Sequence, residues 1–332
     1  MIRSRAIVYT APYRVELQDV RIPPPEADEY LVETVLTAIS PGTELRNLSG
    51  KQEGVAFPTI GGYLCVGRVI GRGPRASAAV ADGTLVFCSG TRRAAELSLT
   101  WGGHVAHAVT PAVFPVPAGL SPRDAVLCKL AAIAYRGVRL SRPEAHERVA
   151  VVGLGPIGQF SMRCHALRGC RTVGFDLSPE RVAFAKSAGG EAYAVERDLA
   201  STRAATVPQG FDVVVDATGV AAVLPQSLTL LREKPWDEAV SPALRLLVQG
   251  SYPGDICLPY MPCFRAELAV LFPRDNQATD IRAVLELAGR GRLTLGDLVS
   301  EVAAPSDCAA VYDRLAASKT GLLTAAFDWT RP

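Results

Sequence analysis

Hydrophobic and polar positions change rhythm twice along the chain. Through residues 1–120 apolar and polar residues alternate in short β-type runs, Ser4–Tyr9, Tyr30–Ala38, Gly67–Ile70 and Thr84–Cys88. Turn signals such as IPPPEAD, SPGTE and ADG separate them. Short alternating runs punctuated by Gly and Pro predict an antiparallel, partly closed β domain. From about Ser121 the apolar runs become continuous, as VAVVG, TVGFD, FDVVVDATG and LRLLVQG, with helical segments between them. That alternation predicts an α/β unit, a doubly wound parallel sheet with helices on both faces. After about Arg290 short elements return, ending on the strand-like Leu323–Trp329, and this tail is too short to fold alone. The expected division is 1–121 with 291–332 as one domain and 122–290 as the other.

Composition narrows the class without choosing a function. The chain has 332 residues, 48% hydrophobic and 20% charged, which suits a globular protein with two buried cores. The formal charge of +2 comes from interspersed Arg, Asp and Glu with no basic run, so nucleic acid and acidic membranes are not expected partners. The opening MIRSRAIVYTAPYRVEL alternates like a strand and contains no apolar leader core, so neither a signal peptide nor a membrane span is expected, and the location expected is cytoplasmic. The eight cysteines are scattered without a CxxC pair and read as small buried hydrophobes. REKPWDEAVSPA, ahead of LRLLVQG, reads as a surface loop or a lid.

The strongest chemical signal is VAVVGLGPIGQFSMRCHALRG. Gly153, Gly155 and Gly158 form GxGxxG immediately after an apolar strand and at the start of a helix, the context a dinucleotide site requires. Gly153 permits the tight turn, Gly155 lets backbone approach a pyrophosphate, and Gly158 lets helix and strand pack closely. Leu154, Pro156 and Ile157 complete the turn, whose helix N-terminus offers N–H groups to phosphate. The second strand ends in Asp176, placed to accept the ribose hydroxyls of NAD and to repel the 2′-phosphate of NADP. Arg181 nearby is able to stack on adenine or pair with a phosphate, so NADP stays open as the lesser choice. Ala217, Thr218 and Gly219 of DATG, with Gly250 and Ser251 after the next strand, are expected along the nicotinamide side.

In the order of these parts the chain resembles the medium-chain dehydrogenase/reductase superfamily over its whole length. The resemblance implies a GroES-like β domain, an inserted Rossmann domain and a short C-terminal return. It also implies catalysis at a cleft between them and dimers formed through the Rossmann edge strand, here near Ala269–Phe272. Zinc members carry ligands in motifs like GICHTD and FPxIPGHExVG. The matching stretches here are AISPGTE and FPTIGGYLCVG, which put Ser40, Tyr63 and Leu64 where Cys, His and Glu would stand. The third ligand region, VLCKLAAIAY, offers Cys128 or Lys129, and the structural four-cysteine loop is replaced by FCSGTRRAAELSLTWGG. His104 and His107 have an HxxH spacing that a pleat puts out of phase. No zinc and no other metal is expected. ISPGTELRNLSG, FPTIGGYLCVG and KLAAIAYRGV further resemble a zinc-less branch that includes a bacteriochlorophyllide hydroxyethyl dehydrogenase and enzymes of polyol and amino-sugar metabolism.

Without a metal, hydrogen-bond donors or a cation must stabilise the alcohol oxygen during hydride transfer. Tyr63 is a candidate donor, and Lys129, which interrupts an apolar helix, is either a surface lysine or the cation that supports it. Glu44 either relays a proton or orients a substrate hydroxyl, or is a solvated carboxylate of the SPGTE turn, while Ser40 and Thr43 either pass a proton or satisfy that turn. Arg274 and Asp275 are candidates for binding a polar substrate, with Asn276 as a helix N-cap. Tyr252, Tyr260 and Met261, in a Pro-rich loop, are either an apolar wall or packing. The expected activity is metal-independent, NAD(P)(H)-dependent hydride transfer at a secondary alcohol or ketone on a hydroxylated ring. An amino sugar or aminocyclitol leads, on the strength of Glu44 and Asp275. The alternatives are a hydroxyethyl tetrapyrrole, a quinone or enone reductase, and a catalytically silent nucleotide-binding protein.

Overall fold

A computed structural model describes residues 1–237, 243–317 and 322–331; the Glu238–Pro242 part of the REKPWDEAVSPA insertion lies outside them. The chain divides into two compact units, Met1–Lys129 with Leu285–Pro332, and Leu130–Val284. These seams fall a few residues inside the limits expected from sequence, because a helix runs through each of them.

In the first unit, β1 (Ile2–Ala11) pairs antiparallel with β2 (Arg14–Ile22). There follow β3 (Tyr30–Ala38), helix α1 (Pro41–Leu48), β4 (Thr59–Ile60) and β5 (Leu64–Arg72). Then come β6 (Leu85–Cys88), β7 (Ser98–Leu99), β8 (His107–Thr110) and β9 (Phe114–Pro115). One sheet has the order β2-β1-β4-β7; in the other, β3 pairs with β5 and β8, and β5 continues through β6 to β9. Strand β5 begins at Leu64, ahead of the expected Gly67, because its first four residues are buried on both faces and so do not alternate. The SPGTE segment, expected as a turn, is the entry to α1. Ser40 is its N-cap in extended conformation, Pro41 occupies the first helical turn, and Glu44 reaches back to the Ser40 backbone N–H at 2.7 Å. The chain then forms the short α2 (Pro122–Ala125), capped by Ser121.

Helix α3 (Cys128–Ser141) carries the chain into the second unit. That unit contains β10 (Arg148–Val152), α4 (Pro156–Ala166), β11 (Arg171–Asp176), α5 (Pro179–Ser187) and β12 (Glu191–Ala194). It continues with α6 (Leu199–Thr206), β13 (Val213–Asp216), α7 (Val223–Ser227), β14 (Arg245–Val248), α8 (Tyr260–Arg265) and β15 (Ala269–Leu271), and α9 (Ala278–Gly289) leads out. All the ladders are parallel, in the order β12-β11-β10-β13-β14-β15. Val213, Val214 and Val215 are inaccessible on both faces, which is why this strand reads as an unbroken apolar run. Strand β12, EAYA, is half-buried and too short to show as a period.

The tail returns to the first unit as β16 (Val299–Ala303), α10 (Cys308–Ala317) and β17 (Thr324–Asp328). Strand β17 lies antiparallel to β3 and extends the larger sheet, with Phe327 buried beneath it. Six cysteines are buried as expected of small hydrophobes; Cys257 is exposed ahead of α8 and Cys263 half-exposed on α8, a helix that buries none of its residues. Among the described residues no helix is long and apolar enough to cross a membrane.

One buried group ties stability to pH. His165 on α4 donates from Nδ1 to the Ser161 carbonyl at 2.8 Å, and its Nε2 has no partner. Burial, with Arg245 nearby, lowers its pKa from 6.5 to about 4. The unfolded chain binds a proton over that window and the folded one does not, so stability falls as pH drops from about 6.5 toward 4. Denaturant unfolding is expected to show a loss of about 2 kcal/mol between pH 7 and pH 5, smaller by that amount in His165→Leu. A variant with the same pH slope as wild type would locate the acid sensitivity elsewhere.

Candidate active site

The first unit brings Ser40, Tyr63 and Lys129 together. Ser40 ends the segment after β3, Tyr63 directly precedes β5, and Lys129 is in the first turn of α3. The Tyr63 hydroxyl donates to Ser40 Oγ at 2.6 Å. Lys129 Nζ lies over the Tyr63 ring, 5.0 Å from its centroid. That is within cation–π range, and Lys129 is half-buried, so of the two expected settings the structure favours the cation beside the phenol. Trp101, to which no role is given by the sequence, meets Tyr63 edge to face with centroids 5.3 Å apart and planes at 74°. Thr43 sits half-buried in the first turn of α1, and the described hydrogen bonds do not join it to this group.

Glu44 is not the solvated turn carboxylate that one reading expected. Its carboxylate is completely buried. Oε1 accepts the Ser40 backbone N–H, and Oε2 accepts the Tyr9 hydroxyl at 2.8 Å and the Tyr312 hydroxyl at 2.5 Å and meets His104 Nε2 at 2.8 Å. A backbone amide fixes geometry but passes no proton, so the Ser40 link is one of position. Burial alone pushes the Glu44 carboxyl up; His104, Tyr312 and the Ser40 amide outweigh it and hold the group below its ordinary value. The same burial, with the charge on Glu44, raises Tyr9 and Tyr312 well above the usual phenol range and keeps them as donors. Trp329 Nε1 donates to Thr37 Oγ1 at 3.0 Å, and His104 Nδ1 lies 2.8 Å from the same hydroxyl, so the imidazole bridges Thr37 and Glu44. His107 lies apart from this network, in β8, half-buried, with Nδ1 3.2 Å from Ser4 Oγ.

In the second unit the glycine-rich turn has the geometry a dinucleotide needs. Gly153 adopts φ +87°, and a Cβ on Gly158 would come within 1.8 Å of the Gly153 carbonyl oxygen, so neither position accepts a side chain. Gly155 is the N-cap of α4 with open space where a Cβ would project, Pro156 occupies the first turn, and Ile157 is half-exposed. Asp176 Oδ2 accepts Leu154 N–H at 2.6 Å and Oδ1 accepts Ser178 N–H at 2.8 Å. Each oxygen retains a lone pair for a ribose hydroxyl. Arg181 Nη1 is 3.6 Å from Asp176, on the same edge. Asp216, fully buried at the end of β13, organises the other rim. Its Oδ1 accepts the Thr218 N–H and hydroxyl at 2.9 and 2.8 Å and the Tyr252 hydroxyl at 2.5 Å. Its carbonyl accepts Gly250 N–H, and a Cβ on Gly250 would meet Gly219 N at 2.4 Å, so the loops of Ala217–Gly219 and Gly250–Ser251 are held in contact. These residues fit a nicotinamide dinucleotide.

Two expectations on this unit are corrected. Tyr252 is tied to Asp216 by its hydroxyl, whereas Tyr260 and Met261 are exposed on α8, so the three do not form one wall. Asn276 does not cap α9: the bond at its entry runs from Gln277 N–H to Asp280 Oδ2 at 2.8 Å, one residue later. Arg274 and Asp275 are exposed in the loop before α9, where Asp275 accepts Asn276 N–H.

The residues at the former ligand positions do not fit zinc. Ser40 and Tyr63 are neutral hydroxyls bonded to each other, and Leu64 is buried at the start of β5. Cys128 is a single buried thiol, which burial pushes well above its ordinary value, and one thiolate cannot make a zinc site alone. Among the described residues no group of three or more His, Cys, Asp or Glu is arranged to hold a metal.

Residues 156–235 match the family model described as zinc-binding dehydrogenase. The chain is similar to a probable D-xylulose reductase A from Arthroderma otae, 26% identical over 62% of this chain and 58% of that protein's length. It is 23% identical, over 99% of both chains, to 2-desacetyl-2-hydroxyethyl bacteriochlorophyllide A dehydrogenase from Cereibacter sphaeroides. Among solved structures, a candidate zinc-binding dehydrogenase from Sinorhizobium meliloti 1021, bound to NADP, superimposes with a TM-score of 0.84 at 21% identity over 99% of this chain and 100% of that one. A short chain alcohol dehydrogenase from Escherichia coli CFT073, complexed with NADH, gives 0.85 at 19% identity over 98% and 99%. These likenesses carry the fold.

Two substitutions test the reading of the two carboxylates. Glu44→Ala strands four buried donors and is expected to destabilise the protein by at least about 3 kcal/mol, read by denaturant unfolding. A loss below 1 kcal/mol would mean that the network is not formed. Asp176→Asn removes a charged acceptor and is expected to weaken NADH binding about tenfold in a fluorescence titration while leaving NADPH little changed. Undiminished NADH affinity would remove Asp176 from the ribose site.

Proposed function

We propose that the chain, placed with the medium-chain dehydrogenase/reductase superfamily by these likenesses, is an NAD(H)-preferring, zinc-independent oxidoreductase that interconverts a secondary alcohol and a ketone on a hydroxylated ring. The observation that carries this reading is the Tyr63–Ser40 hydrogen bond with Lys129 over the phenol face.

Bound nicotinamide supplies or accepts the hydride. Because Ser40 Oγ accepts from Tyr63, its own hydroxyl hydrogen is the donor available to a substrate oxygen. Ketone reduction leaves negative charge on that oxygen; Ser40 protonates it and draws the Tyr63 proton in turn. Lys129 stabilises the charge that then resides on the phenol, a task that falls to the metal in zinc relatives. Alcohol oxidation runs the same steps in reverse. Glu44 takes no proton in this scheme and holds the Ser40 backbone in place.

The preference for NAD rests on Asp176, whose carboxylate would face a 2′-phosphate at close range; Arg181 beside it moderates the discrimination. The amino-sugar expectation leaned on Glu44 and Asp275; the first carboxylate is sealed from any substrate amine, and the second is exposed in the loop before α9. The charge next to Tyr63 is the Lys129 cation, which disfavours an ammonium and favours a neutral polyol ring.

With a cyclic polyol as substrate, Tyr63→Phe is expected to lower kcat by about 10²–10³-fold while NADH affinity stays within twofold, and Lys129→Met to act in the same direction. Dialysis against a chelator is expected to leave turnover unchanged. A Tyr63→Phe enzyme within threefold of wild type, or activity restored only by zinc, would overturn the proposal.

A further inference from the structure

Trp101 stands out by its backbone. It is a bulky non-glycine residue held at φ +71°, a conformation costly for such a side chain and maintained only where the surroundings impose it. Here they do. Thr100 N–H and Gly102 N–H both donate to the Ile60 carbonyl, at 2.9 and 3.2 Å. Gly102 accepts from Thr91 N–H at 2.9 Å, and Gly103 N–H donates to the Gly62 carbonyl at 2.8 Å. The Thr59 and Thr100 hydroxyls close the stitch at 2.9 Å. The segment around Trp101 is thus fastened to the residues that lead into Tyr63. A Cβ on Gly103 would lie 2.6 Å from Tyr63 N, which shows how closely the two backbones approach.

The indole is nevertheless not buried by this effort: 45% of Trp101 remains exposed. Packing alone would favour covering a residue whose backbone is strained to place it. At 74° to Tyr63 and 5.3 Å between centroids, the half-exposed indole adjoins the ring whose hydroxyl donates to Ser40 Oγ.

The geometry points to Trp101 as a substrate platform: the apolar C–H face of a cyclic polyol lies against the indole while a ring oxygen meets Ser40 and Tyr63. This deepens and rests on the oxidoreductase reading above, by assigning the residue that selects a ring over an open chain. A flat polyol ring puts several C–H bonds on one face, and these complement the negative face of an indole; an acyclic polyol must first be ordered to do the same.

Saturation-transfer NMR on the protein–NADH complex tests this without requiring turnover, with myo-inositol as the ring probe and sorbitol as the open-chain one. Wild type is expected to bind myo-inositol about tenfold more tightly than sorbitol, with transfer to the ring C–H protons. Trp101→Gly, whose backbone suits the positive φ, is expected to keep the fold by circular dichroism and lose that preference; Trp101→Phe is expected to retain part of it. Equal binding of the two probes by wild type, no binding of myo-inositol, or an unchanged preference in Trp101→Gly would overturn the platform. Kinetics separate the two proposals. Trp101-dependent binding with no NADH-linked turnover leaves the platform standing and defeats the redox reading, while turnover indifferent to Trp101 does the opposite.

Discussion

A carboxylate without water must be surrounded by donors, and Glu44 recruits them from every part of the first unit. Tyr9 comes from β1, His104 from the loop before β8, Tyr312 from the returning helix α10, and the Ser40 amide from the entry to α1. An ionised group in that setting tolerates little displacement, because each lost donor leaves a buried charge less compensated. The network therefore couples the N-terminal strand and the C-terminal tail to one point, the N-cap of α1. Ser40 inherits a fixed backbone from it, and Tyr63 inherits a fixed acceptor from Ser40.

Asp216 does the same work in the second unit on a smaller scale. It is inaccessible at the end of β13 and holds Thr218, Tyr252 and Ser227 through its side chain and Gly250 through its carbonyl. Parallel strands end in loops with unpaired backbone groups, and a buried acceptor at the strand end gives those groups a common partner. Asp176, by contrast, is only partly enclosed and keeps acceptor capacity for a ligand. Two aspartates ending the strands on either side of β10 thus differ in role because they differ in how many donors the protein itself provides.

The sequence made legible what is local. Gly153, Gly155, Gly158 and Asp176 are readable because the turn, the helix start and the strand end lie within one βαβ segment, and the parallel strands because burial on both faces writes an unbroken apolar run. The Glu44 network is unreadable for the opposite reason: its partners lie 35, 60 and 268 positions away, and nothing next to Tyr9, His104 or Tyr312 marks them. SPGTE read as a turn because Pro and Gly signal turns; Ser40 before Pro41 and the return bond from Glu44 make it a helix start instead. Trp101 left no trace, since a positive φ at a non-glycine residue is imposed by tertiary contacts and has no signature in composition or period.

On the zinc-independent reading proposed above, side chains stand where relatives place a metal, and that changes what the site must control. Zinc fixes a substrate oxygen by coordination, so its ligands need only hold the ion. Hydroxyl donors fix an oxygen only along the direction of a hydrogen, and a serine hydrogen rotates freely unless its lone pairs are committed. The Tyr63 donation commits one of them, the Glu44 network immobilises the backbone that carries Ser40, and Lys129 supplies the positive charge. On that reading each of these parts would answer a specific deficit left by the ion. A site built this way stabilises charge on one oxygen but does not gather a second polar group as an open metal position can. Orientation of the rest of the substrate must then come from contact surface, and beside Tyr63 the exposed contact surface is aromatic.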